Sequence, residues 1–323
     1  MASEATLDHI PVIDLGPLLA GRPVAVESTA DQIRHACEQI GFFFIVNHGL
    51  DQTQVSAVFV AMRELFALPE QAKHDVRMNP HQCGWQPMGV DHGSWDITDQ
   101  ARPAVTEAFK YTGDLPPDHP EYRGPRRFRG HNQWPDGLSD RSRAAFVGYF
   151  AAAEALGRRL LAPLAVSLGL TADHFQDSFS RPDSVMRCAY YPVAPAADGQ
   201  LGLIAHRDLG FLTLIPPATG PGLQILLRDG RWIDQPVVDG AVLVNTGETL
   251  CAWTNDRYIA TPHRVRASTE EDRYSAIFFM YPDLEAIVDP VPNPGGGAKY
   301  SPRAFEEIYT EFVSRHLAYA EAD

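Results

Sequence analysis

Five polar side chains in the C-terminal half of the chain have types and spacings suited to metal-dependent oxidation. His206-Arg207-Asp208 comes first, His263 follows after a long interval, and Arg273 and Ser275 lie ten and twelve positions beyond that histidine. Two imidazoles and one carboxylate can occupy one face of a first-row metal ion and leave the opposite positions open, a donor set suited to non-haem Fe(II) and O2. An arginine with a hydroxyl two residues on can clamp a carboxylate through charge-assisted hydrogen bonds. A dicarboxylate such as 2-oxoglutarate, held by that clamp, would supply a ligand for the open face. Each residue also has a plainer reading. A histidine in a β protein is usually a hydrogen-bonded structural residue, and an arginine often pairs with a structural acid.

One ion can collect these donors only if strands bring them together. His206 and Asp208 share a face if their backbone is extended, because strand side chains alternate; His263 must then arrive from a separate strand. Short β-like runs at 185–191, 210–215, 222–227, 242–245, 257–260 and 274–281 are separated by turn signals such as Gly220-Pro221-Gly222, Asp229-Gly230 and Asp239-Gly240. Many short strands with regular turns favour a sandwich or barrel.

Upstream, the pattern is mixed α/β. Residues 9–15 read as an early strand closed by Gly16-Pro17, 26–40 as a helix stopped by Gly41, 42–46 as a buried strand, and 55–66 as a second amphipathic helix. Residues 77–135 are rich in Gly, Pro, His and Trp and lack sustained periodicity, so they read as loops able to shape a binding site. Four histidines of that stretch, His81, His92, His119 and His131, are in reach of such a role, whereas His48, in an Asn-His-Gly strand end, reads as structural. A long helix from about 140 to 169 follows, and a last helix is expected to begin at Ser301-Pro302. These signals divide the chain into an N-terminal α/β segment (1–135), a helical connection (136–183), a β core (184–290) and a C-terminal helix (291–323), all parts of one integrated unit.

Bulk properties narrow the function. The net charge of −14 over 323 residues argues against a grip on nucleic acid or an anionic membrane surface. Cys37, Cys83, Cys188 and Cys251 are scattered without a paired motif, which fits a reducing compartment. No signal-peptide pattern opens the sequence, and the longest apolar stretch, 144–170, is broken by Glu154, Arg158 and Arg159. A cytoplasmic protein acting on a small molecule is expected, as a monomer or homodimer.

The runs HRDLGFLTLI, GLQILLRDGRWIDQP, VLVNTGETL, WTNDRYIATPHRV and RYSAIFFMYP, in that order, resemble the C-terminal half of the isopenicillin N synthase-like Fe(II)/2-oxoglutarate-dependent dioxygenases. IPVIDLG and GFFFIVNHG resemble the N-terminal segment of the same family. The match is weakest between about 84 and 135. The resemblance implies a mainly β core, a double-stranded β-helix (jelly roll) with flanking helices. It also implies that His206, Asp208 and His263 hold Fe(II), that Arg273 and Ser275 bind the distal carboxylate of 2-oxoglutarate, and that the Tyr191 hydroxyl reaches the same carboxylate. Phe279 matches a family position that packs against substrate, and Trp85, from the irregular stretch, could close the other side.

The chain departs from the family at three points. Ala189 stands where Asn is frequent, Gly247-Glu248 where Gly-Asp is, and Arg207 where the middle residue is commonly Thr. Alternation turns Arg207 away from the metal, as a solvated or ion-paired strut. Arg187 shares a strand face with Ala189 and Tyr191; its partner could be the cosubstrate, a substrate carboxylate or a structural acid. The implied activity consumes O2 and 2-oxoglutarate, gives succinate and CO2, and oxidises a small, largely apolar metabolite by hydroxylation, desaturation, cyclisation or epoxidation. Two other readings stay open: an iron oxidase of the same fold that does without 2-oxoglutarate, and a non-catalytic jelly roll with a structural metal. A zinc hydrolase is disfavoured because no general base stands beside the triad.

Overall fold

The computed structural model describes residues 10–79, 81–90, 104–113, 131–194, 200–293 and 296–316. The N-terminal part runs through strand β1 (Val12–Asp14), helices α1 (Gly16–Leu19) and α2 (Ala25–Gln39), strand β2 (Phe42–Val46), and helices α3 (Gln52–Phe66) and α4 (Glu70–His74). Ile33, Ala36 and Cys37 of α2, with Val55, Val58, Phe59, Met62 and Leu65 of α3, are buried at helical spacing. Asp51 caps α3 by accepting the Thr53 amide at 2.8 Å. Gly41 ends the α2 segment at φ 68°, where a Cβ would stand 2.2 Å from the Ile259 carbonyl oxygen.

The described residues within 77–135 hold more order than their composition suggests. Strands β3 (Gly84–Gln86) and β4 (Glu107–Thr112) pair antiparallel there, and β4 pairs along its whole length with β5 (Val185–Tyr191). These short strands take their structure from the neighbouring strand, not from their own pattern. His92 and His119 lie outside the described residues.

Helix α5 (Asp140–Ser167) starts at the Ser139 cap and buries Phe146, Tyr149, Phe150, Ala153, Leu156, Leu160 and Leu164. Among the described residues no helix is long and apolar enough to cross a membrane. After β5 come β6 (Leu201–His206), β7 (Leu212–Ile215), β8 (Leu223–Leu226), β9 (Trp232–Asp234), β10 (Val242–Thr246), helix α6 (Glu248–Trp253), β11 (His263–Arg266), β12 (Arg273–Met280), β13 (Ile287–Val288), β14 (Arg303–Ala304) and helix α7 (Phe305–His316).

Two main sheets organise all of these strands but β13 and β14, which pair with each other. The larger has the order β1-β2-β10-β7-β12-β5-β4-β3 and the smaller β6-β11-β8-β9. One face of the large sheet, with Phe43, Cys188, Val244 and Phe278, packs on α2, α3 and α5. Its other face, with Phe44, Ala189, Leu243 and Ile277, meets Leu203, Leu223, Ile225 and Val265 of the small sheet. Alternation along each strand therefore sorts side chains between a helix-backed core and a space enclosed by the two sheets.

Several sequence expectations need correction. The run 257–260 is a turn: Asn255 and Asp256 adopt φ 55° and 64°, and the buried Tyr258 hydroxyl meets Ser167 Oγ at 2.5 Å. The strand ending in His206 and the helix opening at Glu248 were not expected as elements. The last helix begins at Phe305, because Arg303 and Ala304 are drawn into pairing with Val288 and Ile287.

Candidate metal and cosubstrate site

His206 closes β6 and His263 opens β11, and these strands pair antiparallel with the two histidines opposite one another. Their rings lie 4.4 Å apart between centroids. Asp208 sits just past the end of β6, so the turn there, and not strand alternation, aims its carboxylate at the histidines. His206 Nε2 is 3.5 Å and His263 Nε2 3.6 Å from Asp208 Oδ1, and the three donor atoms lie within 4.8 Å of one another.

The rest of each ligand is already committed. His206 Nδ1 contacts the Ile204 carbonyl at 2.8 Å and His263 Nδ1 the Thr261 carbonyl at 3.1 Å. Both rings thus keep Nε2 for the centre, the arrangement in which a backbone acceptor fixes tautomer and orientation. Asp208 Oδ2 accepts from Thr213 Oγ1 at 2.6 Å and Asn245 Nδ2 at 2.8 Å. Burial pushes the Asp208 carboxyl up, but His263 and His206 outweigh it and hold the group well below the usual carboxylate range. Burial likewise pushes the His263 imidazole down, and the Asp208 charge reverses this so that its net shift is upward. A divalent cation binds the neutral imidazole, so its uptake here is expected to strengthen as pH rises.

The start of α6 locks the turn that carries Asp208. Glu248 N donates to the Asp208 carbonyl at 2.7 Å, Thr249 N to the Leu209 carbonyl at 2.9 Å, and Gly247 N to the Phe211 carbonyl at 3.2 Å. A Cβ on Gly247 would stand 2.1 Å from the Gly210 carbonyl oxygen, so only glycine permits this approach. Arg207 turns away from the histidines and donates through Nε to the Ala260 carbonyl at 3.1 Å, a strut into the segment that leads to His263.

The candidate carboxylate clamp comes from the opposite sheet. Arg273 and Ser275 share the inner face of β12, and Arg273 is paired across β5 with Tyr191 and Ser275 with Ala189. The guanidinium lies 4.9 Å over the Tyr191 ring and donates Nε to the Gly220 carbonyl at 3.0 Å. Its Nη1 is buried without a hydrogen-bond partner. Burial lowers the Arg273 pKa from its ordinary value. Gly202 of β6 makes room for the Tyr191 ring, since a Cβ there would lie 2.8 Å from Tyr191 Cδ1. His206, Asp208, His263, Arg273, Ser275, Tyr191, Arg187 and Phe279 all line one cavity between the sheets, walled elsewhere by aliphatic side chains such as Leu203, Leu223 and Ile277.

Trp85 is the exception among the expected site residues. It is paired with Phe109, which is paired with Cys188, so it faces the helices and not the cavity. Its indole donates to Glu107 Oε2 at 2.7 Å, and Glu107 also takes the Lys73 ammonium at 3.0 Å. The residue is a core strut and, contrary to the expectation from sequence, does not line the cavity. His48 is structural as expected: it bridges the Gly240 carbonyl and the Leu50 amide.

Sequence reasoning missed Thr213 and Asn245, the two residues that hold the outer oxygen of Asp208. They are polar positions inside apolar strand runs and sit directly opposite each other across β7 and β10. Replacing Asn245 with Ala is expected to weaken Fe(II) binding about 10- to 100-fold, because such outer partners tune ligand orientation and basicity. A chelator-competition titration beside a far-ultraviolet spectrum checks this, and unchanged affinity would make Asn245 a mere core residue.

Comparison with known proteins agrees with this geometry. Residues 10–137 match the N-terminal domain described as non-haem dioxygenase in morphine synthesis, and residues 182–282 match the 2OG-Fe(II) oxygenase superfamily domain. The 2-oxoglutarate-dependent dioxygenase citB of Monascus ruber is 31% identical over 298 residues, covering 89% of this chain and 89% of that protein. A crystal structure of JOX2 in complex with 2OG, Fe and JA superposes with a TM-score of 0.77 at 27% identity, over 94% of this chain and 84% of that one. A full-length Neurospora crassa protein crystallised in complex with alpha-KG shares the fold, with a TM-score of 0.82 at 24% identity over 94% and 96% of the two chains. The two-sheet core is thus the double-stranded β-helix of these oxygenases, and the cofactor and cosubstrates are Fe(II), 2-oxoglutarate and O2. Two histidines of one sheet, with the buried Asp208 just past its strand end, face an arginine with an unsatisfied donor in the other sheet, and over most of its length the chain belongs to the Fe(II)/2-oxoglutarate-dependent dioxygenases, a family of oxidoreductases.

Proposed function

We propose that the protein couples decarboxylation of 2-oxoglutarate to oxidation of a C–H bond in a small metabolite of specialised metabolism. His206, Asp208 and His263 hold Fe(II), and Arg273 with Ser275 and Tyr191 holds the distal carboxylate of 2-oxoglutarate. The observation that carries this reading is the buried Arg273 Nη1, which lacks a partner and belongs to the cavity that contains the His-Asp-His donors. A buried cationic donor left unmade is costly, and a carboxylate arriving beside Ser275 would satisfy it.

When bound, Fe(II) supplies the redox chemistry by which O2 and 2-oxoglutarate give succinate, CO2 and an oxidised substrate. The protein residues position and shield. His206 and His263 present Nε2 because their other ring nitrogens are tied to backbone carbonyls. Asp208 is held by Thr213 and Asn245. Leu203, Leu223, Val265 and Ile277 keep the reacting volume dry. Phe279, half-buried on the clamp face of β12, offers a flat apolar wall to the substrate. Hydroxylation is the simplest outcome, and desaturation or ring closure would use the same residues.

The expected result of a metabolite screen is succinate release stimulated by particular small molecules, with succinate and oxidised product formed in step. Product formed without succinate would favour an oxidase that uses the Arg-Ser pair for its substrate. Stimulation by peptides or oligonucleotides alone would overturn the small-molecule reading.

A further inference from the structure

We propose that the cleft beside α7 is a second small-molecule site, suited to an uncharged apolar compound bearing a hydroxyl group. Its occupant braces the back of the turn that carries Asp208 and so tightens the metal site. The coupling rests on the reading of His206, Asp208 and His263 as metal ligands; the binding site does not.

The segment that carries two of those ligands is a partition. His206 and Asp208 line the metal cavity, whereas Arg207 and Leu209 line a separate cleft of about 470 Å3, a size at which small-molecule sites are common. Glu248, Thr249 and Ala252 of α6 continue that wall, and Val288 of β13, Tyr300, and Ile308 and Phe312 of α7 complete the lining. The Thr249 amide and hydroxyl both donate to the Leu209 carbonyl, at 2.9 and 2.6 Å, and the Glu248 amide donates to the Asp208 carbonyl at 2.7 Å. A guest resting on Leu209 and Thr249 therefore restrains the backbone that aims the Asp208 carboxylate. Arg207, in the same wall, holds the Ala260 carbonyl, three residues before His263.

Charge and hydrogen bonding define the guest. The charged residues lining the cleft are Arg207, Arg303, Glu248 and Glu311, two of each sign, and each is already engaged within the fold. An ionic guest would have to break one of these interactions or lie desolvated without a counterion, so a neutral guest is favoured. The hydroxyl donors are spent as well: Tyr300 donates to Asp256 Oδ1 at 2.7 Å, and Thr249 to the Leu209 carbonyl. A hydroxyl oxygen that donates keeps acceptor capacity, so the polar group of the guest is a donor. Ile308 and Phe312, half-buried and one turn apart on α7, offer apolar surface to its body. Asp256 also takes the Lys299 ammonium at 2.9 Å, and Asn255 Oδ1 accepts the Lys299 amide at 2.6 Å. The rim beside Tyr300 is thus fixed before a guest arrives.

The test titrates 2-naphthol into the full chain by calorimetry, with and without saturating Fe(II) under anaerobic conditions. The expected result is one site, with 2-methoxynaphthalene, which lacks the donor, bound about fivefold more weakly and the charged 2-naphthoate at least about tenfold more weakly. Ala252→Trp, which fills the cleft from α6, should abolish binding, while Phe279→Ala, in the metal cavity, should leave it within about twofold of wild type. Ile308→Ala should weaken binding about fivefold, and decides the matter if the tryptophan variant does not fold. Fe(II) and 2-naphthol should each tighten the Kd of the other by the same factor, about fivefold or more. Absence of 2-naphthol binding, or binding sensitive to Phe279→Ala and indifferent to Ala252→Trp, overturns the site. A preference for 2-naphthoate overturns the chemistry assigned to the guest, and an Fe(II) affinity unmoved by saturating 2-naphthol overturns the coupling. A protein that binds 2-naphthol but takes up no Fe(II) gives a different signature and overturns the metal reading, and the coupling with it.

Discussion

Replacing His263 with alanine is expected to abolish turnover and bound iron while leaving the protein folded. In the proposed site His263 is one of three protein donors, and its ring stands opposite His206 across the β6–β11 pair. Two donors cannot fix both the position and the open face of the ion, so loss of one ligand removes the site and does not merely weaken it. This position gives a cleaner test than Asp208. Removing the carboxylate would strand the Thr213 hydroxyl and the Asn245 amide in a buried place, at about 1–3 kcal/mol each. Removing the imidazole leaves Asp208 with both of those partners. Iron content, the circular dichroism spectrum and succinate release together decide the matter. Normal iron content with substantial activity in His263→Ala would remove that residue from the site.

Arg273→Ala should raise the 2-oxoglutarate requirement on the order of 100-fold, the equivalent of roughly 3 kcal/mol for a charge-assisted bidentate contact. Ser275→Ala should cost about 1 kcal/mol, a neutral hydroxyl bond. The asymmetry follows from the surroundings. Arg273 is 3% exposed, stacked on Tyr191, and anchored through Nε to Gly220, so its remaining donors are held in place before the ligand arrives. Titration of the anaerobic Fe(II) protein, read in the charge-transfer band, measures both. Equal affinities in wild type and Arg273→Ala would assign the arginine to substrate instead.

The sequence was most legible where short-range pattern and long-range geometry coincide. Arg273 and Ser275 lie two apart on one strand, so alternation alone puts them on one face. His206 and Asp208 look like the same case, but the strand ends at His206 and the carboxylate is aimed by the α6 start, through Glu248 and Gly247. No local pattern announces that. Trp85 was misjudged for a related reason. Its face is set by pairing with β4, and β4 in turn by β5, two alignments separated by long stretches of chain. Composition could describe its neighbourhood but not its register. Thr213 and Asn245 carried a readable signal, polar residues within apolar runs, yet their meaning appears only when the strands pair and point both at Asp208.

The two halves of the candidate site belong to different sheets: the two histidines to the small one, Arg273 and Ser275 to the large one. Held as proposed, Fe(II) and 2-oxoglutarate would together act as a rivet through the sandwich. Anything that binds only the folded chain adds to its stability by mass action, about 2.7 kcal/mol at a free concentration of one hundred times Kd. For a domain with a total stability of about 5–15 kcal/mol, that is a sizeable share. The supply of iron and cosubstrate would thus govern how long the protein survives in the cell as well as how fast it works, and a shortage of either would be felt first as lost enzyme.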